Sequence, residues 1–162
     1  MNARVLADAA AFAAALKPGA ALMGLDLGTR TIGIAVSDTM RQVASPLETL
    51  RRTKFGVDAA ALIARMDARR IGGLVLGLPR NMDGSEGPRA QSTRAFARNL
   101  AGLTVIPITF WDERLSTVAA ERALLEADTS RTRRAEVIDH VAAAYILQGL
   151  LDRLGHIERA AT

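Results

Sequence analysis

Between residues 22 and 38 the chain alternates two apolar runs with a polar break at Gly28-Thr29-Arg30, and each run carries one carboxylate: Asp26 inside the first, Asp38 at the end of the second. This pattern predicts two short strands joined by a tight turn. Beyond Asp38, Ser45-Pro46 interrupts the pattern, and a third short strand is expected over residues 47–52. The period then changes. Across residues 57–70, Ala59, Leu62, Ile63 and Met66 share one face while Asp58, Arg65, Asp67 and Arg69 fall mostly off it, as in an amphipathic helix. Residues 71–78 are apolar almost without interruption and are closed by Pro79, the pattern of a strand covered on both faces and therefore of a central parallel strand.

The segment from Pro79 to Pro88 is too rich in Gly, Pro and Asn for regular structure and is read as a loop at a strand's C-terminal end. A helix over residues 89–100 places Ala90, Phe96, Ala97 and Leu100 inward and Arg89, Arg94 and Arg98 outward. Residues 103–110 are strand-like, but Pro107 suits an edge strand or a bulge, and this strand delivers Trp111-Asp112-Glu113-Arg114 to the end of the sheet. Ser116 or Thr117 is a candidate cap for a helix running to about residue 126. Residues 127–134, with Arg131, Arg133 and Arg134, read as a solvated loop. The last helix is expected over 135–154; it is apolar nearly all round from residue 141 to 147 and should be largely buried there. Ahead of the hairpin, residues 6–16 predict a short amphipathic helix closed by Pro18-Gly19. A meander followed by alternating helices and strands implies an α/β protein with a mixed five-stranded sheet flanked by helices. Its domain covers residues 22–155, behind an N-terminal helical extension over residues 1–21. In such sheets, sites gather beyond the C-terminal ends of the strands.

Composition narrows the chemistry. The 162 residues hold 21 Lys and Arg against 17 Asp and Glu, and only Lys17 and Lys54 are lysines, so the positive charge is almost all guanidinium, which matches phosphate geometry. Aromatic residues at 4% argue against base-stacking platforms. With no cysteine, disulfides, thiolate catalysis and zinc–thiolate sites are all removed, and with only His140 and His156 any metal must be held mainly by oxygens, hence Mg²⁺ or Mn²⁺. No apolar run approaches the roughly 20 residues of a membrane span, and the weakly apolar stretch at 9–16, next to Asp8, is a poor signal peptide. A cytoplasmic location is expected.

An ionised carboxylate in an apolar strand needs a partner, a metal or a shifted pKa. Asp26 is therefore either a site residue or a turn cap on the amides of Gly28 and Thr29. Asp139 is the second oddity, lying between Ile138 and Val141 in the apolar helix with small residues Ala142 and Ala143 on its face; the alternative is a carboxylate favoured by the helix dipole. Glu136, one turn earlier, is an accessory candidate or plainly solvated. With the topology above, Asp26, Glu113 and Asp139 converge at one end of the sheet. Three carboxylates so close repel, and divalent cations are the usual remedy. Two such ions about 3.5–4 Å apart activate a water and stabilise the leaving oxygen of a phosphodiester. A basic protein around an acidic metal site describes a nuclease.

Four blocks carry a family resemblance. Gly24-Leu25-Asp26-Leu27-Gly28-Thr29-Arg30-Thr31-Ile32-Gly33 with Ser37-Asp38 resembles the opening motif of the YqgF/RuvX family of pre-16S rRNA nucleases related to Holliday-junction resolvases. Gly77-Leu78-Pro79-Arg80-Asn81-Met82-Asp83-Gly84-Ser85, Asp112-Glu113-Arg114-Leu115-Ser116-Thr117 and Asp139-His140-Val141-Ala142-Ala143-Ala144-Tyr145-Ile146-Leu147-Gln148 resemble its second, third and fourth, in the family's order. The resemblance implies an RNase H-like fold, a cytoplasmic nuclease and a role in maturing the 5′ end of 16S rRNA during ribosome assembly. By position it makes Asp26, Glu113 and Asp139 the catalytic and metal-binding carboxylates. It offers Arg30, Asn81 and Arg114 as nucleic-acid contacts. Arg80, which stands where the family commonly has an aliphatic residue, is carried as a further phosphate contact, and the N-terminal extension lies outside the resemblance.

Other readings remain at this point. Asp-x-Gly-Thr also opens actin-like ATPases and sugar kinases, although those need two lobes and a second phosphate loop. A resolvase acting on branched DNA, or an RNA-binding factor without turnover, would keep the same fold. The partner is thus structured RNA or branched DNA, with the protein a monomer or a homodimer.

Overall fold

The computed structural model describes residues 3–115 and 131–161, with the side chains of the last helix described from Asp139 onward. Its centre is a sheet of six strands in the order β1-β6-β5-β2-β3-β4. Strand β2 (Ala21–Leu27) turns through Gly28, whose N–H donates to the Thr31 carbonyl at 2.9 Å, into β3 (Thr31–Ser37), and β3 is followed antiparallel by β4 (Ala44–Arg51). The meander is as the apolar pattern predicts, except that β4 runs straight through Ser45-Pro46. Pro46 is tolerated because β4 is the edge strand and the register shifts beside it, between Ile34 and Ala35. Strand β5 (Ile71–Leu78) is parallel to both neighbours, β2 and β6 (Ile108–Asp112), and is almost wholly buried, as its unbroken apolar run requires.

The sheet has six strands where five are expected. The additional strand is β1 (Val5–Leu6), parallel to β6, held by the Ile108 N–H to the Arg4 carbonyl at 2.9 Å and by the Thr109 hydroxyl to the Leu6 carbonyl at 2.7 Å. Two residues are too short to show an alternation, so the pattern of residues 6–16 reads as helix throughout. Helix α1 is shorter, Ala9–Ala15, and Asp8 is its N-cap, accepting from the Ala10 N–H at 3.0 Å. The strand expected over 103–110 begins only after Pro107 and is not an edge, because β1 covers it. The Pro107 carbonyl accepts from the Leu74 N–H at 3.0 Å.

One apolar layer, built on Met23, Leu25, Ile32, Ile34, Leu74 and Leu76, is covered by α2 (Phe55–Ala68) and α3 (Pro88–Ala101). Asp58, placed off the inner face of α2 by its period, is 5% exposed; it accepts from both the N–H and the hydroxyl of Thr53 at 3.0 Å, which ties down the start of the helix. The other layer joins Phe12, Leu22, Ala35 and Val75 to α4 (Arg131–Ala161). Helix α4 is longer than expected at both ends, and Arg131, Arg133 and Arg134 lie in its first turn, not in a loop. Its middle is buried on one side only: Ala142, Ala143, Ile146 and Leu147 face the sheet, while Tyr145 is 36% exposed. The helix expected to end near residue 126, and residues 127–130 after it, lie outside the described residues. Among the described residues no helix is long and apolar enough to cross a membrane.

The segment before β2 thus contributes both a strand and a helix to the body, and Phe12 is completely buried in the α4 layer. Phe12→Ala is expected to lower unfolding stability by about 3–5 kcal/mol in denaturant titrations; a loss below about 1 kcal/mol would mean that this segment adds nothing to the core.

Candidate active site

Side chains alternate along β2: Met23, Leu25 and Leu27 enter the α2/α3 layer, so Leu22, Gly24 and Asp26 point to the α4 side. Asp26 is 2% exposed. It pairs with Gly33 on β3, and the β2–β5 register, with Leu25 opposite Leu76, sets it alongside Gly77 on its other flank. Both neighbours are glycines for a steric reason. A Cβ on Gly33 would collide with the backbone carbonyl of Asp139, and one on Gly77 would sit 2.7 Å from Oε1 of Glu113. The first glycine lets α4 lie directly on β3; the second makes room for the Ile146 side chain of α4 and for the carboxylate of Glu113, which follows β6 in a short 3-10 turn, Glu113–Leu115.

On the α4 face Asp26 thus lies between the strand that carries Gly77, over which the Glu113 carboxylate sits, and β3, where the Asp139 backbone rests on Gly33 and the Asp139 carboxylate lies beside Thr31. Glu113 and Asp139 are half-buried. The Asp139 carboxylate accepts from the Thr31 hydroxyl, so its orientation is set by β3. The group is open: among the described residues no three His, Cys, Asp or Glu side chains are gathered closely enough to hold an ion as they stand. The donors nonetheless suit a hard divalent cation, being oxygens only. Glu136, the accessory candidate, has its side chain outside the described residues. Asp38 is a turn cap, accepting from the N–H groups of Gln42 and Val43 at 2.8 and 3.0 Å; these two bonds, Val43 first, hold its carboxyl below the ordinary aspartate range.

The residues singled out for nucleic-acid contact stand differently. Arg114 forks onto Asp112, with Nη2 to Oδ2 at 2.7 Å, and its Nη1 donates to the Met82 carbonyl at 3.3 Å, so its guanidinium latches the loop after β5 to the end of β6. Asn81 closes that loop on itself: its N–H donates to the Ser85 carbonyl, and its side-chain amide to the Ser85 hydroxyl at 3.0 Å. Arg80 is half-buried, 3.5 Å from Glu86, and its Nε is buried with no hydrogen-bond partner among the described residues. Glu86 in turn holds Arg94 through two bonds of 2.6 and 2.8 Å, and Arg94 lies over the Phe110 ring. Arg30 is exposed at the β2–β3 turn. Thr31 is a site residue that the sequence does not single out: the hairpin register gives its face, and only the packing of α4 brings it to Asp139. A cleft of about 990 Å³ between α1, the β3–β4 turn and the C-terminal part of α4 is lined by residues such as Ala13, Leu151 and Arg41 and contains none of these carboxylates.

Two expectations come from the geometry. Gly33→Ala forces α4 off β3 and should cost about 1–3 kcal/mol in denaturant unfolding, whereas Gly56→Ala, with open space around a new Cβ, should be neutral or stabilising; equal effects would contradict the close approach. The Arg114 fork holds the Asp112 carboxyl below its ordinary 3.8, so its contribution is fully present above that pH and is lost as pH falls through the lower, folded value. In a carbon-detected NMR titration, Arg114→Met should move the Asp112 midpoint up towards 3.8, and an unmoved midpoint would show that the fork is not the cause.

The chain is similar to several known proteins. A protein from Ruegeria pomeroyi named "Putative pre-16S rRNA nuclease" is 75% identical over 146 residues, covering 90% of this chain and 95% of the relative. A relative of the same name from Rhodobacter capsulatus is 71% identical, covering 92% of this chain and 94% of its own. Among solved structures, Thermus thermophilus RuvC in complex with a Holliday junction substrate matches 84% of this chain and 96% of its own, with a TM-score of 0.53 at 13% identity, so the fold is of the RNase H-like type that RuvC has. The model of the RuvX family, described as Holliday junction resolvase, matches residues 20–153, and the chain belongs to that family.

Proposed function

We propose that the protein is a metal-dependent nuclease that hydrolyses phosphodiester bonds in the 5′-end processing of pre-16S rRNA, in the cytoplasm. The observation that carries this reading is the buried Asp26 between two glycines, with the Glu113 carboxylate over one and the Asp139 backbone over the other, in a chain of the RuvX family. The names of the relatives from Ruegeria and Rhodobacter support the rRNA substrate.

Asp26, Glu113 and Asp139 would hold Mg²⁺ or Mn²⁺, which supplies an activated water and charge stabilisation at the leaving oxygen. The chain's own contribution is position. Asp26 is on a strand hydrogen-bonded on both sides, which fixes the backbone that carries its carboxylate. The Thr31 hydroxyl orients Asp139, and the bare backbones at Gly33 and Gly77 allow its neighbours to come close without displacing the sheet. The low exposure of Asp26 makes it costly to bring two more carboxylates alongside, and a cation is what relieves that cost.

The test is cleavage of a transcript carrying the 16S 5′ leader, in parallel with a four-way DNA junction, with Mg²⁺ or Mn²⁺ and with chelator. RNA cleavage is expected with metal only, and Asp26→Asn, folded with a near-native Tm, should lower the rate by at least about 100-fold, a barrier increase of about 2.7 kcal/mol. Unchanged cleavage in that variant would overturn the assignment. Cleavage of the junction alone would make the protein a resolvase, the substrate with which the structurally similar RuvC is described.

A further inference from the structure

The α4 face of the sheet does not stop at Asp139. Gly33 pairs with Thr49 on the edge strand β4, and Thr31 pairs with Arg51. Residues directly opposite in an antiparallel pair point to the same face. Thr31 reaches Asp139 and Thr49 reaches the next residue of the same helix, with its hydroxyl 3.0 Å from Nδ1 of His140. Both contacts lie on the α4 face, so Arg51, two residues along β4 from Thr49, presents its side chain there too. Arg51 is exposed, and among the described residues it has neither a hydrogen bond nor an ion pair from its guanidinium. This separates it from Arg80, Arg94 and Arg114, whose guanidinium groups are paired with Glu86 or Asp112.

We propose that Arg51 and His140 form a phosphate-binding subsite over β4, one strand beyond Asp139, which takes a backbone phosphate adjoining the one to be cleaved. The proposal rests on the nuclease reading above. Thr49 fixes the imidazole ring through Nδ1, and in the tautomer where the hydroxyl donates, Nε2–H is left as a donor. Arg51 supplies a fork that matches two phosphate oxygens. Neighbouring strands are about 4.8 Å apart, so the subsite lies one to two strand spacings from the carboxylates, the range of successive phosphates along a strand of nucleic acid. A polynucleotide running across the sheet from Glu113 towards the β4 edge would pass the carboxylates first and this pair next. The edge position matters as well, because among the described residues no further strand stands beyond β4 to obstruct the chain.

The experiment measures binding apart from cleavage. In the full chain carrying Asp26→Asn, the affinity for a fluorescent 16S-leader RNA and for a four-way DNA junction is followed by anisotropy between 50 and 200 mM salt. Adding Arg51→Gln should reduce the slope of log K against log salt by about 0.7–0.9, equivalent to removing about 2.6- to 3.5-fold of the affinity loss across that range. Arg51→Lys should restore most of the slope. His140→Gln should weaken binding several-fold with a smaller change in slope. Arg98→Gln, exposed on α3 on the opposite face, serves as control and should leave binding unchanged. An Arg51→Gln slope equal to that of its parent, or an equal loss in the Arg98 control, overturns the subsite while leaving the nuclease reading intact. If neither nucleic acid binds at all, both fall.

Discussion

Everything around the candidate site depends on one close approach, that of the α4 backbone at Asp139 to the bare Cα of Gly33. No side chain separates the helix from the sheet there, so the position of Asp139 relative to Asp26 is set by backbone contact and not by the packing of flexible groups. The same helix repeats the device further along, where Gly24 accepts the Cβ of Leu147 and Gly149 accepts the Trp111 ring. Each glycine draws α4 towards the sheet at a different strand. The helix is thereby pinned along its length, and the buried Ala142, Ala143, Ile146 and Leu147 fill what remains of the interface.

This packing leaves the polar groups with distinct tasks. Asp26 has almost no access to water, while the flanking carboxylates are half-buried and come from elements that end or start beside it. On one side, the loop after β5 is held by its own network: Arg114 on Asp112 and the Met82 carbonyl, Asn81 on Ser85, and Glu86 on Arg94. Those arginines act as struts. On the other side, over the edge strand, Arg51 and Arg30 are exposed. The guanidinium groups are thus divided between building the wall of the site and facing what enters it, a division that net charge alone does not reveal.

Much of this could be read in one dimension. The meander, the buried strand 71–78, the inward residues of α3 and the oddity of a carboxylate inside an apolar strand all follow from hydrophobic period and local turn chemistry, which act over a few residues. The family resemblance rests on the same short blocks. Less legible were the features that depend on a distant partner. Residues 5–6 become a strand only because β6 offers an unpaired edge, and Pro46 stays in β4 because that strand is the other edge. Asp58 is buried because Thr53 satisfies it, and Tyr145 is exposed because α4 has the sheet on one side only.

The class of fold, the order of its main elements and the carboxylates that stand out from their apolar surroundings are written in the periodicity and chemistry of contiguous residues. It took the three-dimensional packing to set the Glu113 carboxylate and the Asp139 backbone over glycines on either flank of Asp26, to fork Arg114 onto Asp112, and to bring Arg51 and His140 to the face of Asp139. The reason is physical. Which groups meet across strands is set by register and by how closely a helix can approach the sheet, and both arise from contacts between residues up to about a hundred positions apart, as between Thr31 and Asp139.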